Sequence, residues 1–315
     1  MNKLKVGDVV GVIAPSDSFA KNDLLEGIKE IESWGLKVKM GKHVFEDIDD
    51  YMAGSEEQRK DDLIMMINDP EIKCIWCAEG GYAITPLRKY LTYDLAFEIE
   101  KSKKMVIGYS DITMLTNFWT NINCPAVYGP MLCGLSKWTK RSRDWMKSLL
   151  MEKKTREMDI EIFNGDKNVI GRLVPGGIEC VQLGFGTSCD VLNNNDGPII
   201  LILEDWNEEK TSMLRQIDSI LSHKDFGKVV GVLLGRFPLM TSESYEQWSK
   251  KVDVTTEVVR RLVEVRPEML VGKLVDFGHP SSYNQGTEEE FLAVPSGVTA
   301  EAKLWDNRGM LIFDF

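Results

Sequence analysis

In the first third of the chain, short apolar runs alternate with amphipathic stretches, the pattern of βαβ units that feed a parallel sheet. Val9 to Ala14 is the first such run and predicts a strand. Leu24 to Trp34 carries apolar residues at helical spacing and stops at Gly35, the residue type expected just past a helix end. Lys37 to Met40 predicts a second strand. Ser55 and Gln58 then form a capping-box pair ahead of Leu63, Ile64 and Ile67, so a helix is expected over residues 56–68. Lys73 to Ala78 predicts a third strand ending in Gly80 and Gly81, and residues 95–101 a helix. Lys104 to Gly108 predicts a fourth strand, with a helix from Ile112 to Thr120 after it.

From Lys137 to Asp166 Lys, Arg and Glu crowd out the apolar periodicity, the mark of a linker. A second unit is expected from about Gly171, with apolar strands at Pro198–Leu203, Lys228–Leu234 and Lys273–Phe277, helices near 208–222 and 254–264, and short strand-like runs to Phe315. The expected organisation is an α/β domain over 1–136, a linker over 137–170 and a second domain over 171–315. A chain of 315 residues exceeds the usual size of one hydrophobic core, which agrees with two domains.

With 38 Lys and Arg against 49 Asp and Glu, the formal net charge is −11. Such a surface repels phosphate backbones and anionic lipid, so neither a nucleic acid polymer nor a membrane is expected as partner. Asp8 interrupts the apolar N-terminal stretch, no small-residue cleavage site follows, and no run reaches the roughly 18 apolar residues of a membrane span. Six sparse cysteines suit reduced thiols, and the expected location is the cytoplasm.

In open parallel sheets ligands gather beyond the carboxyl ends of the strands. The residues just past the apolar runs are Ser16, Gly80 and Gly81, Ser110, Glu204 and Asp205, Arg236 and His279: a nucleophile, acids and a base among them. Ser110 stands where an apolar strand runs straight into a helix, a corner that exposes a hydroxyl beside backbone amides. The same position suits an ordinary N-cap. Of the three histidines, His43 follows an edge-like strand in a Lys-rich turn and His223 is expected solvated in the last turn of a helix. His279 lies in Asp276-Phe277-Gly278-His279-Pro280, just beyond an apolar strand, where it suits either a general base or a loop-satisfying imidazole. Glu204 and Asp205 end the run Ile199 to Leu203, so one of them can orient an imidazole, or either can cap the next helix. The Gly80-Gly81 turn lets a backbone amide approach a ligand closely. Cys74 and Cys77, within a strand, read as core residues. Neither a metal-ligand cluster nor a nucleotide-binding glycine motif stands out, so no cofactor and no metal is expected.

Taken together, Gly11-Val12-Ile13-Ala14-Pro15-Ser16, Gly80-Gly81-Tyr82, Ile107-Gly108-Tyr109-Ser110-Asp111-Ile112-Thr113, Tyr128-Gly129-Pro130-Met131, Gly176-Gly177, Leu203-Glu204-Asp205 and Gly278-His279 resemble, in order and across nearly the whole chain, the LD-carboxypeptidase family of serine peptidases, which includes the microcin C self-immunity proteins. The resemblance implies Ser110 as nucleophile, His279 as base, Glu204 as the acid orienting it, and an oxyanion hole from the N–H groups of Gly81 and Asp111. It also implies a flavodoxin-like parallel-sheet N-terminal domain, a mainly β C-terminal domain with helices, and a homodimer. Glu79, Ala83, Ile178, Glu179 and the polar loop Ser281 to Gly286 depart from the family's pattern, which bears on substrate choice.

The activity so implied is hydrolysis of the LD bond to the terminal D-alanine of murein tetrapeptides, with a small peptide as the partner. Tyr82, Trp206 and Arg236 are candidates for substrate contact, Arg236 for a free carboxylate. A microcin-immunity type peptidase acting on a peptidyl or aminoacyl nucleotide is the alternative, for which Trp206 offers a stacking surface. A non-catalytic binding protein, with Ser110 and Glu204 as helix caps, stands as a reading of another class. A conventional α/β-hydrolase shares the order serine, acid, histidine but expects G-x-S-x-G.

Overall fold

The computed structural model describes residues 3–193, 196–238, 253–281 and 288–315. The N-terminal sheet is built from β1 (Val9–Ile13), β2 (Lys37–Met40), β3 (Ile72–Cys77), β4 (Met105–Gly108) and β5 (Ala126–Tyr128). All five run parallel, in the order β5-β4-β3-β1-β2. Apart from the exposed Lys73 in β3, the central strands are apolar because helices cover the sheet, as parallel sheets require. Those helices are α1 (Lys21–Ser33), α2 (Glu56–Asn68), α3 (Tyr93–Ser102) and α4 (Thr113–Asn121). The expected capping box starts α2: Ser55 Oγ accepts the Gln58 N–H, and Gln58 Oε1 accepts the Ser55 N–H at 2.8 Å. From β1 the chain moves outward to β2 and then returns to β1's other side as β3. The crevice where strand order reverses therefore lies at the carboxyl ends of β1 and β3.

The charged segment expected as a linker instead folds into α5 (Lys140–Met151) and β6 (Thr155–Asn164). Along β6, Arg156, Met158 and Ile160 are buried while Glu157, Asp159 and Glu161 face out. The period of two was present, but outward charges mask it to a reading that weighs only apolar density. β6 enters a closed barrel with β7 (Val169–Gly177), β8 (Ile199–Glu204), β9 (Val229–Leu234), β10 (Leu270–Leu274), β12 (Thr299–Trp305) and β13 (Arg308–Asp314), in the order β10-β6-β13-β12-β7-β8-β9, closed by β9 against β10. Helices α6 (Ile178–Leu183), α7 (Lys210–Leu221) and α8 (Val254–Val265) accompany it and bury Ile178, Met213, Ile217, Val258 and Leu262 against its apolar strands.

The two units share one continuous core, and a strand of the second joins the first. β11 (Val294–Ser296) pairs antiparallel with β5 and completes a six-stranded sheet. The architecture is mixed α/β: a parallel sheet with helices joined to a largely β second unit. Among the described residues no helix is long and apolar enough to cross a membrane.

Candidate active site

The carboxyl ends of β1, β3 and β4 in the sheet meet those of β7 and β8 in the barrel around a cavity of about 310 Å³. Ser110 opens a short 3₁₀ turn, Ser110–Ile112, between β4 and α4, with φ 57°. A serine in the left-handed region is strained, and such strain persists where surrounding bonds enforce it. Here the Ser110 N–H donates to the Tyr128 hydroxyl at 3.1 Å, and the Ser110 carbonyl accepts from Thr113 Oγ1 at 2.5 Å. Thr113 Oγ1 in turn accepts the Gly177 N–H at 3.0 Å, tying the turn to the barrel. Ser110 does not act as an N-cap: the cap positions of the 3₁₀ turn and of α4 are Tyr109 and Ile112, and neither makes a side-chain cap bond.

Glu204, the last residue of β8, is fully buried. Its Oε2 accepts the His279 N–H at 3.0 Å and pairs with His279 Nδ1, while its Oε1 accepts the Tyr128 hydroxyl at 2.5 Å. Burial by itself raises this carboxyl's pKa, but the charge of His279 and the three hydrogen bonds outweigh it and hold the group below its ordinary value. With Nδ1 donating to the carboxylate, the neutral imidazole carries its lone pair on Nε2. The ring packs against two aromatics, its centroid 4.6 Å from that of Tyr109 and 5.9 Å from that of a nearly parallel Trp206.

The loops opposite are held by two carboxylates, the half-buried Asp17 and the buried Asp111. Asp17 accepts the N–H groups of Tyr82 at 2.9 Å and Ala83 at 3.1 Å, wrapping the turn in which Gly81 adopts φ 127°. A Cβ at Gly81 would fall 2.0 Å from the Asp17 carboxyl carbon, so only glycine fits there. Asp111 accepts the Ser16 hydroxyl, the Ile84 N–H at 2.9 Å and the Cys180 thiol at 3.7 Å, and burial pushes its carboxyl up to about 6. Beneath both loops the buried Arg59 donates to the carbonyls of Pro15 at 2.8 Å and Ala83 at 2.5 Å.

Residues 10–129 match the LD-carboxypeptidase N-terminal domain and residues 170–301 the LD-carboxypeptidase C-terminal domain, which together span most of the chain. The chain belongs to the LD-carboxypeptidase family. A murein tetrapeptide carboxypeptidase of Pseudomonas aeruginosa is 29% identical to it over 240 residues, covering 72% of this chain and 76% of that protein. A probable murein peptide carboxypeptidase of Bacillus subtilis is 30% identical over 243 residues, covering 74% and 73%. Among solved structures, MccF in complex with glutamyl sulfamoyl guanosine superposes with a TM-score of 0.80 at 21% identity, covering 99% of this chain and 98% of that one.

In this LD-carboxypeptidase fold Ser110, Glu204, His279, Gly81, Asp111, Tyr82 and Trp206 all line the one cavity. Arg236, the expected contact for a free carboxylate, is placed elsewhere. Its guanidinium donates to the carbonyls of His279 at 2.8 Å, Gly278, Glu290 at 2.8 Å and Val275 at 3.3 Å, so it binds the histidine's own loop. Asp205 lines the cavity too, but accepts the N–H groups of Trp206 at 2.8 Å and Glu179 at 3.2 Å. Glu204 caps no helix, since the N-cap of α7 is Glu209. His223, expected in solvent, is partly buried with Nε2 at 3.2 Å from Asp190, and His43 Nδ1 sits 3.1 Å from Asp62. Cys74 and Cys77 are fully buried, their thiols pushed up by burial. Of the polar loop after His279, residues 282–286 lie outside the described residues. The sequence reading missed Tyr128, Thr113 and Arg59 as parts of the site. Tyr128 ends a strand in a stretch already marked as family-like, and that was its only signal.

Proposed function

We propose that this enzyme is a serine carboxypeptidase that hydrolyses the LD bond to the terminal D-alanine of murein tetrapeptides. The observation that carries the reading is the fully buried Glu204 paired with His279 on the cavity that Ser110 also lines. In this reading His279 Nε2 takes the Ser110 proton as Oγ attacks the peptide carbonyl, and the N–H groups of Gly81 and Asp111 receive the oxyanion. Collapse of the tetrahedral intermediate breaks the C–N bond, and the imidazolium gives its proton to the departing amine of D-alanine. Water, deprotonated by the same imidazole, then attacks the acyl-enzyme and frees Ser110. Glu204 stabilises the imidazolium in both halves. The murein peptidases among its relatives support the substrate. Cytoplasmic recycling of wall peptides by a homodimer belongs to the same reading.

The test is release of D-alanine from a purified murein tetrapeptide by the wild type and by Ser110→Ala. Release by the wild type alone supports both substrate and nucleophile. No release from a sample whose Ser110 a fluorophosphonate still labels would replace the substrate with a peptidyl or aminoacyl nucleotide. That second reading is favoured by one observation: Trp206, partly exposed on the cavity wall, offers a flat face for a base.

A further inference from the structure

We propose that Tyr128 is a positioning residue of the triad, its hydroxyl joining the backbone of Ser110 to the carboxylate of Glu204 across the two sheets. The inference rests on the triad reading above.

The hydroxyl's two bonds have fixed directions. An amide N–H only donates and an ionised carboxylate only accepts, so the oxygen must accept from Ser110 at 3.1 Å and give its one hydrogen to Glu204 Oε1 at 2.5 Å. Glu204 is thereby divided: Oε1 belongs to Tyr128, and Oε2 to the N–H and Nδ1 of His279. A carboxylate gripped at both oxygens cannot rotate, and its plane sets that of the imidazole. At the other end, the bond to the Ser110 N–H helps to hold the left-handed turn that presents Oγ. The tyrosine has no freedom to leave. It is fully buried, with its ring stacked on Phe277 at 5.5 Å and edge-on to Tyr109 at 6.0 Å.

Removing the hydroxyl leaves a buried carboxylate short of a donor, which makes it more basic and strengthens its hold on the histidine proton. Either effect moves the acidic limb of the pH–rate profile to higher pH. The charged groups around this unit are His279 and Asp205 beside Glu204, Arg236 behind the histidine's loop and Glu79 across from the imidazole.

The experiment measures the rate at which a fluorophosphonate labels Ser110, by intact mass and across pH, a readout that does not depend on the natural substrate. Tyr128→Phe is expected to react about 10- to 100-fold more slowly, the range for loss of a hydrogen bond to a buried charge, with its acidic limb at higher pH. Phe277→Leu, which removes the stacking partner and keeps the hydroxyl, is expected to melt earlier with its limb in place. Site-specific 3-fluorotyrosine at position 128, an isosteric and stronger donor, is expected to move the limb to lower pH. That variant tests the inference even if Tyr128→Phe does not fold. Labelling of Tyr128→Phe at the wild-type rate, a limb that stays put in the fluorotyrosine protein, or an equal shift in Phe277→Leu overturns the inference and leaves the triad standing. A wild type that is not labelled at Ser110 overturns the triad reading itself.

Discussion

Glu204 Oε2 accepts the backbone N–H of His279 at 3.0 Å and also pairs with Nδ1 of the same residue's ring. One buried oxygen therefore fixes both where the loop places the histidine and which nitrogen of the ring carries the proton.

Glu204→Gln is expected to lower turnover by about 10⁴-fold, because the amide can donate to Nδ1 and so select the wrong tautomer. Steady-state kinetics on the tetrapeptide would check this. A loss of less than about tenfold would remove Glu204 from the orienting role.

The left-handed φ of Ser110 predicts an inverted stability order. Inside helices alanine is better than glycine, but here Ser110→Gly should be more stable than Ser110→Ala by about 1 kcal/mol, since only glycine adopts this φ without strain. Both variants should be inactive. Urea unfolding of the pair measures the difference, and alanine equal to or better than glycine would mean that the turn is not strained.

Arg236 donates to carbonyls along the stretch from Val275 to Glu290, a pattern lysine cannot reproduce. Arg236→Lys is expected to reduce kcat about tenfold with KM nearly unchanged, and to speed backbone amide exchange over residues 275–281. A large rise in KM at constant kcat would return Arg236 to the substrate-carboxylate role.

Two buried carboxyls should act on stability with opposite sign. Burial raises Asp111 from 3.8 to about 6, so the unfolded chain loses that proton first and stability falls as pH rises through this window. Asp111→Asn removes the effect, and its melting temperature should gain on the wild type between about pH 4 and pH 7. A difference independent of pH would show that Asp111 is not held neutral. Glu204, held below its ordinary 4.5, stabilises the fold above that value, and the contribution is lost as pH falls through the folded value.

Local signals carried the first sheet well. Val9–Ile13, Lys37–Met40 and the capping box at Ser55 formed as expected, because an apolar run or a cap is specified by its own neighbours. The strand-end rule also picked out residues that the fold brings together: Ser110, Gly81, Glu204 and His279 all line one cavity. Arg236 did not, because its position past β9 is a matter of sequence while the direction of its side chain is decided by the loop packed against it. β6 was hidden for a related reason: its charges face outward from a barrel whose existence no single strand announces.

The sequence by itself determined the α/β class, the family and the residue types available for chemistry, since periodicity, turns and motif order are local properties of the chain. Tertiary structure alone decided that the barrel closes through β6, that β11 completes the first sheet, and that Tyr128 lies between Ser110 and Glu204. Those three depend on contacts between residues far apart in the chain. Their geometry is set by how two sheets pack, and no window of sequence contains both partners.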